Sequence, residues 1–189
     1  MVTEDEMDIK DLNRRVSAAR EETEARGETF YPGPSRVHLA SFPPKERWDD
    51  WVELDPGAWP ELGRATRVLN VHMTHPMVFP PWRSLPERSY QLNRIITHAD
   101  GYDAMVLGDL NAAPGWPVHR RLSRSLDDAA WAAAAVRGER ADPTWSLRPA
   151  GRALLRIDHV FTDGVSISDL WVVPIPGSDH SAIIFDIAS

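Results

Sequence analysis

Ala104-Met105-Val106-Leu107-Gly108-Asp109-Leu110-Asn111 holds two signals. The apolar run closed by a glycine predicts a short strand buried on both faces. Asp109 and Asn111 follow it, two positions apart, so in extended backbone their side chains point the same way. One offers an anionic oxygen and the other a neutral amide. That pair suits a hard cation together with a phosphate oxygen or a positioned water. The same spacing also serves an ordinary Asx-turn, so the pair needs company before it implies chemistry.

Upstream, Thr66–Met73 alternates, with Val68, Asn70 and His72 on one face and Leu69, Val71 and Met73 on the other. This predicts a strand. Further strands are expected at Arg36–Ser41 and Trp51–Leu54, and His75–Pro81 reads as a stiff loop. Pro86 opens a predicted helix that runs through Leu92, Ile95 and Ile96 to about Ala99, where Asp100-Gly101 ends it. Downstream, helices are expected from about Pro117 to Leu122 and near Asp127–Val136, where alanines favour helix. Leu155–Phe161, Leu170–Val173 and Ala182–Ile187 predict three closing strands.

At the N-terminus, Thr3-Glu4-Asp5-Glu6 reads as a capping box ahead of a stripe of Ile9, Leu12, Val16 and Ala19. It predicts an amphipathic helix over about residues 4–26, lying on its own domain. The expected organisation is that helix in residues 1–30 and one domain over 31–189. Strands interleaved with helices predict an α/β (α+β) protein, its sheets covered by helices.

Composition narrows the function. The 189 residues suit one domain, and 28 acidic against 21 basic residues leave a net charge of −7. That balance argues against a broad basic nucleic-acid surface, while leaving room for a local phosphate site. With 42% hydrophobic residues the chain has enough for a core, and no apolar run approaches ~18 residues. Met1–Lys10 is acidic and is no secretory signal. No cysteine is present, so disulfide scaffolds, thiolate metal sites and cysteine nucleophiles are excluded. The compartment stays undetermined.

Two more stretches carry chemistry. In Gly177-Ser178-Asp179-His180-Ser181, Asp179 and His180 stand before the last strand, where a histidine can take a proton from water near neutral pH. In Arg156-Ile157-Asp158-His159-Val160-Phe161, Asp158 interrupts an apolar run and is expected half-buried. A carboxylate so placed suits holding an imidazole by one nitrogen. The alternative partner for Asp158 is Arg156. His72, and after it His75, are candidate donors to phosphate.

The order of these pieces is a strand ending in Asn70-Val71-His72, a helix with Arg88 and Gln91, then Gly108-Asp109-Leu110-Asn111. Pro143-Thr144-Trp145, Leu155–Phe161 and Gly177–Ala182 complete it. It resembles the endonuclease/exonuclease/phosphatase superfamily, the deoxyribonuclease I-like fold, over about residues 36–189. The resemblance implies a four-layer sandwich of two β-sheets flanked by helices. It implies a divalent metal, Mg²⁺ or Mn²⁺, and hydrolysis of a phosphodiester or phosphomonoester. By motif position, His180 is implied as general base, Asp158 as its orienting acid, Asp109 and Asn111 as the pair at nucleophile and phosphate, and His72 as a phosphate contact. Asp179, with Asp109, is implied on the metal side. The implied substrates are nucleic acid, phospholipid or inositol phosphate. Loop tryptophans Trp82, Trp116 and Trp145 are expected to pack as lids.

The family's opening strands, one ending in Asn and one in a metal-binding Glu, have no counterpart here. The chain reads as N-terminally truncated, with Glu4 and Glu6 as poor substitutes, and weak metal binding is expected. The alternative is a non-catalytic remnant that binds a phosphate-bearing ligand or a protein. Membrane attachment through upstream spans is the other open expectation.

Overall fold

The computed structural model describes residues 51–57, 59–76, 84–149 and 151–188. The predicted helix over about 4–26, the strand at Arg36–Ser41, Trp82, and all but the start of the His75–Pro81 loop lie outside the described residues. The chain divides into two compact units, Met1–Leu39 and Ala40–Ser189, and everything below belongs to the second.

That unit runs β1 (Trp51–Leu54), a 3-10 turn (Pro60–Leu62), β2 (Thr66–His72), α1 (Leu85–Ala99), β3 (Asp103–Asp109), α2 (Pro117–Leu122), β4 (Asp127–Asp128), α3 (Ala129–Arg137), β5 (Asp158–Asp163), β6 (Ile167–Pro174) and β7 (Ser181–Ile187). The first five strands form one mixed sheet in the order β1-β2-β3-β5-β4, and β6 pairs with β7 in a second sheet. This is the α/β architecture expected, with two sheets and helices among the described residues.

β2 and β3 run parallel, because α1 carries the chain back between them. Proline in the first turn starts α1, and Arg88, Gln91, Ile95 and Ala99 are buried along it at helical spacing. Alternation along the central strands then divides the core. Leu69, Val71, Ala104, Val106 and Phe161 pack with Ile95, Ala99, Val118 and Leu122 from the helices. Leu107 and Val160 face the other way and pack with Leu170, Val172, Ile183 and Phe185 of the second sheet. Asp109 lies two residues beyond Leu107 and Asp158 two before Val160, so both carboxylates belong to the inter-sheet side.

Gly108 is required where it stands. Its φ is +122°, and a Cβ there would lie 2.2 Å from the Val71 carbonyl oxygen. Any larger residue would push β3 off β2 just before Asp109.

Two boundaries differ from expectation. Asp127 and Asp128 form a strand against β5, not the start of a helix, because the Asp128 carboxylate caps α3 by accepting from the Ala130 and Trp131 N–H groups. The predicted strand at Leu155–Phe161 begins only at Asp158 and runs to Asp163. Leu155 is instead bridged to Trp145, and the Ile157 carbonyl accepts from the Leu110 N–H at 2.9 Å.

Candidate active site

β3 and β5 are antiparallel and register Asp109 directly opposite Asp158. His180 enters from the second sheet, immediately ahead of β7. The result is a cluster in which one oxygen of Asp109, one of Asp158 and a ring nitrogen of His180 lie within 4.8 Å of one another. Residues 22 or more apart in sequence meet because strand register and sheet packing bring them together.

The His180 Nδ1 lies 3.0 Å from Asp158 Oδ2 and 3.2 Å from Oδ1. An N–H there donates to the carboxylate, which leaves the neutral ring's lone pair on Nε2. Thr144 fixes the carboxylate in turn. Its hydroxyl donates to Asp158 Oδ2 at 2.6 Å and accepts from the backbone N–H groups of Ile157 and Asp158. The Thr144 carbonyl accepts from the Ser181 N–H at 2.7 Å, so one residue ties β5 to the start of β7. Nothing in the sequence marked Thr144 beyond its place in Pro143-Thr144-Trp145.

Asp109 and Asn111 stay together as expected. The Asn111 backbone N–H donates to Asp109 Oδ1 at 2.7 Å, and its side-chain amide donates to Asp109 Oδ2 at 3.1 Å and to the Met73 carbonyl at 2.9 Å. Asn111 adopts a left-handed backbone, φ 47°, which asparagine tolerates better than most residues. Arg88 holds that turn. Its guanidinium donates to the carbonyls of Thr74, Leu110 and Asn111, and Gln91 donates to the Thr74 hydroxyl while accepting from the Thr74 N–H. Burial pushes the Arg88 pKa down, and Asp109 opposes that shift. The Asx-turn and the candidate site are thus one structure.

Burial pushes the Asp109 carboxyl above its ordinary range, opposed by the Asn111 N–H; the neighbouring Asp158 charge adds to the rise. His72 stands at the edge, its Nε2 3.6 Å from Asp109 Oδ2 and its side chain 55% exposed. His75 is exposed one turn of chain further on. Asp179 is not in the cluster. Its Oδ2 accepts from the Trp145 indole at 3.2 Å, and its carbonyl accepts from the Ser146 N–H at 2.8 Å. Trp145 is therefore partly packed down, whereas Trp116 is exposed.

A second group, His119, Asp128 and His159, also has metal-ligand types within reach of one another. Arg156 decides its role. The guanidinium takes both Asp128 oxygens, at 2.8 and 2.7 Å, and His119 Nε2 adds a 2.8 Å bond. A carboxylate so saturated, beside a fixed cation, has neither lone pairs nor electrostatic room for a metal. The cluster joins β4, α2 and β5, and His159 extends it by donating from Nε2 to the Ala112 carbonyl at 2.8 Å. It also answers the alternative reading of Asp158, because Arg156 pairs with Asp128.

No curated protein matches the chain by sequence. Among solved structures, it is similar to the 3′ phosphatase NExo from Neisseria, solved with a product DNA hairpin. Identity is 19%, 75% of this chain and 71% of that one are covered, and the TM-score is 0.52. It is also similar to a functionally unknown conserved protein from Enterococcus faecalis, at 18% identity over 66% of this chain, with a TM-score of 0.51. The chain spans 50% of that second protein's length. These likenesses show the fold. The model of the Endonuclease/Exonuclease/phosphatase family matches residues 12–180. With the fold, the ordered motifs and that match in agreement, the chain belongs to the endonuclease/exonuclease/phosphatase family.

Proposed function

We propose that the chain is a metal-dependent phosphoesterase of nuclease or phosphatase type, in which His180 accepts the proton of the attacking water. The observation that carries this reading is the convergence of Asp109, Asp158 and His180 within 4.8 Å. In the proposed cycle, Asp158 accepts a hydrogen bond from the Nδ1–H and holds the ring, so that Nε2 is the basic atom. As the water oxygen bonds to phosphorus and the ester P–O bond breaks, the water proton passes to Nε2. This leaves an imidazolium that the Asp158 carboxylate stabilises and that gives its proton up to solvent, from which the departing alkoxide is protonated. Asp109 orients the water, the Asn111 amide, its two N–H groups given to Asp109 and the Met73 carbonyl, fixes that carboxylate, and His72, exposed at the rim, contacts the phosphate.

The donors also suit a divalent cation. In this half-buried cluster the Asp109 carboxylate matches its preference for oxygen ligands, and its charge would offset the burial that disfavours ionised Asp109. Mg²⁺ or Mn²⁺ would be held by Asp109, with Asp179 recruited from its indole partner. Bound there, the cation would neutralise charge on the phosphate.

Hydrolysis of bis(p-nitrophenyl) phosphate and p-nitrophenyl phosphate with Mg²⁺ or Mn²⁺ tests the proposal. His180→Ala should lower kcat by about 10²–10⁴-fold and leave KM nearly unchanged. Turnover that survives His180→Ala overturns the assignment. Phosphate binding without turnover in the wild type would favour a non-catalytic, phosphate-binding member of the family.

A further inference from the structure

We infer that the loop between Trp145 and Leu155 is a docking surface for an anionic phospholipid bilayer, set beside His180. The loop is closed at its base by the Trp145 and Leu155 backbones, with N–H···O distances of 2.8 and 3.2 Å, and turned by the Gly151 N–H donating to the Arg148 carbonyl at 3.0 Å. From it Leu147 is 75% and Leu154 55% exposed, and Leu155 at its base 37%. Arg148 and Arg152 are exposed on the same loop.

The loop is fastened to the candidate site and not merely near it. The Ser146 N–H donates to the Asp179 carbonyl at 2.8 Å, and Trp145 is bridged to His180. Ile175, 44% exposed, lies in the adjoining turn that leads to Asp179.

Charge and side-chain type choose the occupant. No Asp or Glu occurs from Pro143 to Ile157, in a chain whose net charge is −7. With Arg156 paired to Asp128, the loop's own exposed charges are Arg148 and Arg152, both positive and complementary to an anionic surface. Its exposed apolar residues are aliphatic, and leucines flanked by arginines suit an interface of acyl chains beneath charged headgroups. Nucleic acid would stack its bases on aromatic faces, and Trp145 is partly packed down with its N–H already donated to Asp179. Such docking would bring a phospholipid headgroup to Asp109 and His180, a consequence that rests on the phosphoesterase reading. The docking itself does not.

The test is co-sedimentation of the whole chain, without added metal, with vesicles of phosphatidylcholine alone and of equal parts phosphatidylcholine and phosphatidylglycerol. The chain should bind the mixed vesicles and not the neutral ones. Leu147→Ser with Leu154→Ser, and separately Arg148→Gln with Arg152→Gln, should each weaken binding by about tenfold or more at unchanged Tm. Failure to bind mixed vesicles overturns the inference. So does binding that both double variants retain, or a DNA duplex bound through the arginines with the leucines irrelevant. Vesicle binding by a chain that hydrolyses nothing would leave the docking surface standing and remove the phosphoesterase reading alone.

Discussion

Asp109 carries the clearest conflict between stability and function. Burial raises its pKa in the folded protein, and Asp158 adds to the rise. A carboxyl with a raised folded pKa contributes stability that is fully present below its unfolded value of about 3.9 and is lost as pH rises through the folded value. At neutral pH the ionised group therefore costs stability. Asp109→Asn should raise Tm near about pH 7, by about 2–4 °C for each kcal/mol relieved, and the gain should vanish in acid where Asp109 is protonated. Thermal melts at the two pH values check this, and a variant less stable at neutral pH would contradict it. Thr144 makes the complementary case. Thr144→Val keeps the shape, removes the 2.6 Å bond to Asp158 and leaves two backbone N–H groups short of an acceptor. If Thr144 positions Asp158, kcat should fall about tenfold or more with KM little changed, and Thr144→Ser should restore it. Loss of stability in both variants, with kcat intact in each, would make Thr144 a packing residue only.

Among the elements, β4, α2, α3 and β5 depend on one carboxylate. Burial pushes the Asp128 carboxyl up, but the His119 hydrogen bond, the neighbouring His159 ring and the Arg156 guanidinium together hold it well below the usual range. With a depressed folded pKa, its contribution is present above the unfolded value of about 3.9 and is lost as pH falls below it. Asp128→Asn leaves the Arg156 charge buried without its counter-ion, so it should cost about 3–5 kcal/mol at neutral pH. The deficit should shrink as pH falls through the window below about 4. Urea unfolding at several pH values measures it, and a pH-independent deficit would show that the lost cap at α3 matters more than the charge. The same cluster explains why β5 starts late. Arg156 must turn inward to Asp128, so regular pairing with β3 waits until Asp158.

At the scale of the whole molecule, metal affinity follows from how few carboxylates are free. Among the described residues Asp158 is already engaged by His180 and Thr144, and Asp179, outside the cluster, by Trp145, so Asp109 is the main ligand on offer. Calorimetric titration with Mg²⁺ should show only weak binding, abolished by Asp109→Asn. A tight, stoichiometric site would overturn this.

Much of the architecture was legible one-dimensionally. Alternation in Thr66–Met73, the apolar run ending at Gly108 and the proline-to-glycine limits of α1 are local signals, because strand and helix periods are written in neighbouring residues. The order of short motifs was enough to reach the family. Partnerships were not legible. Arg156 stood beside Asp158 in sequence yet pairs with Asp128, 28 positions away, and Thr144 reaches Asp158 across 14. Asp109 faces Asp158 only through the β3–β5 register, and His180 joins them only because the second sheet packs on the first. The sequence by itself determined the family, the candidate residues and the kinds of element on which they sit. Tertiary structure decided which of them touch, because hydrogen-bond and charge partners are selected by distance and burial in three dimensions, and neither is encoded in chain separation.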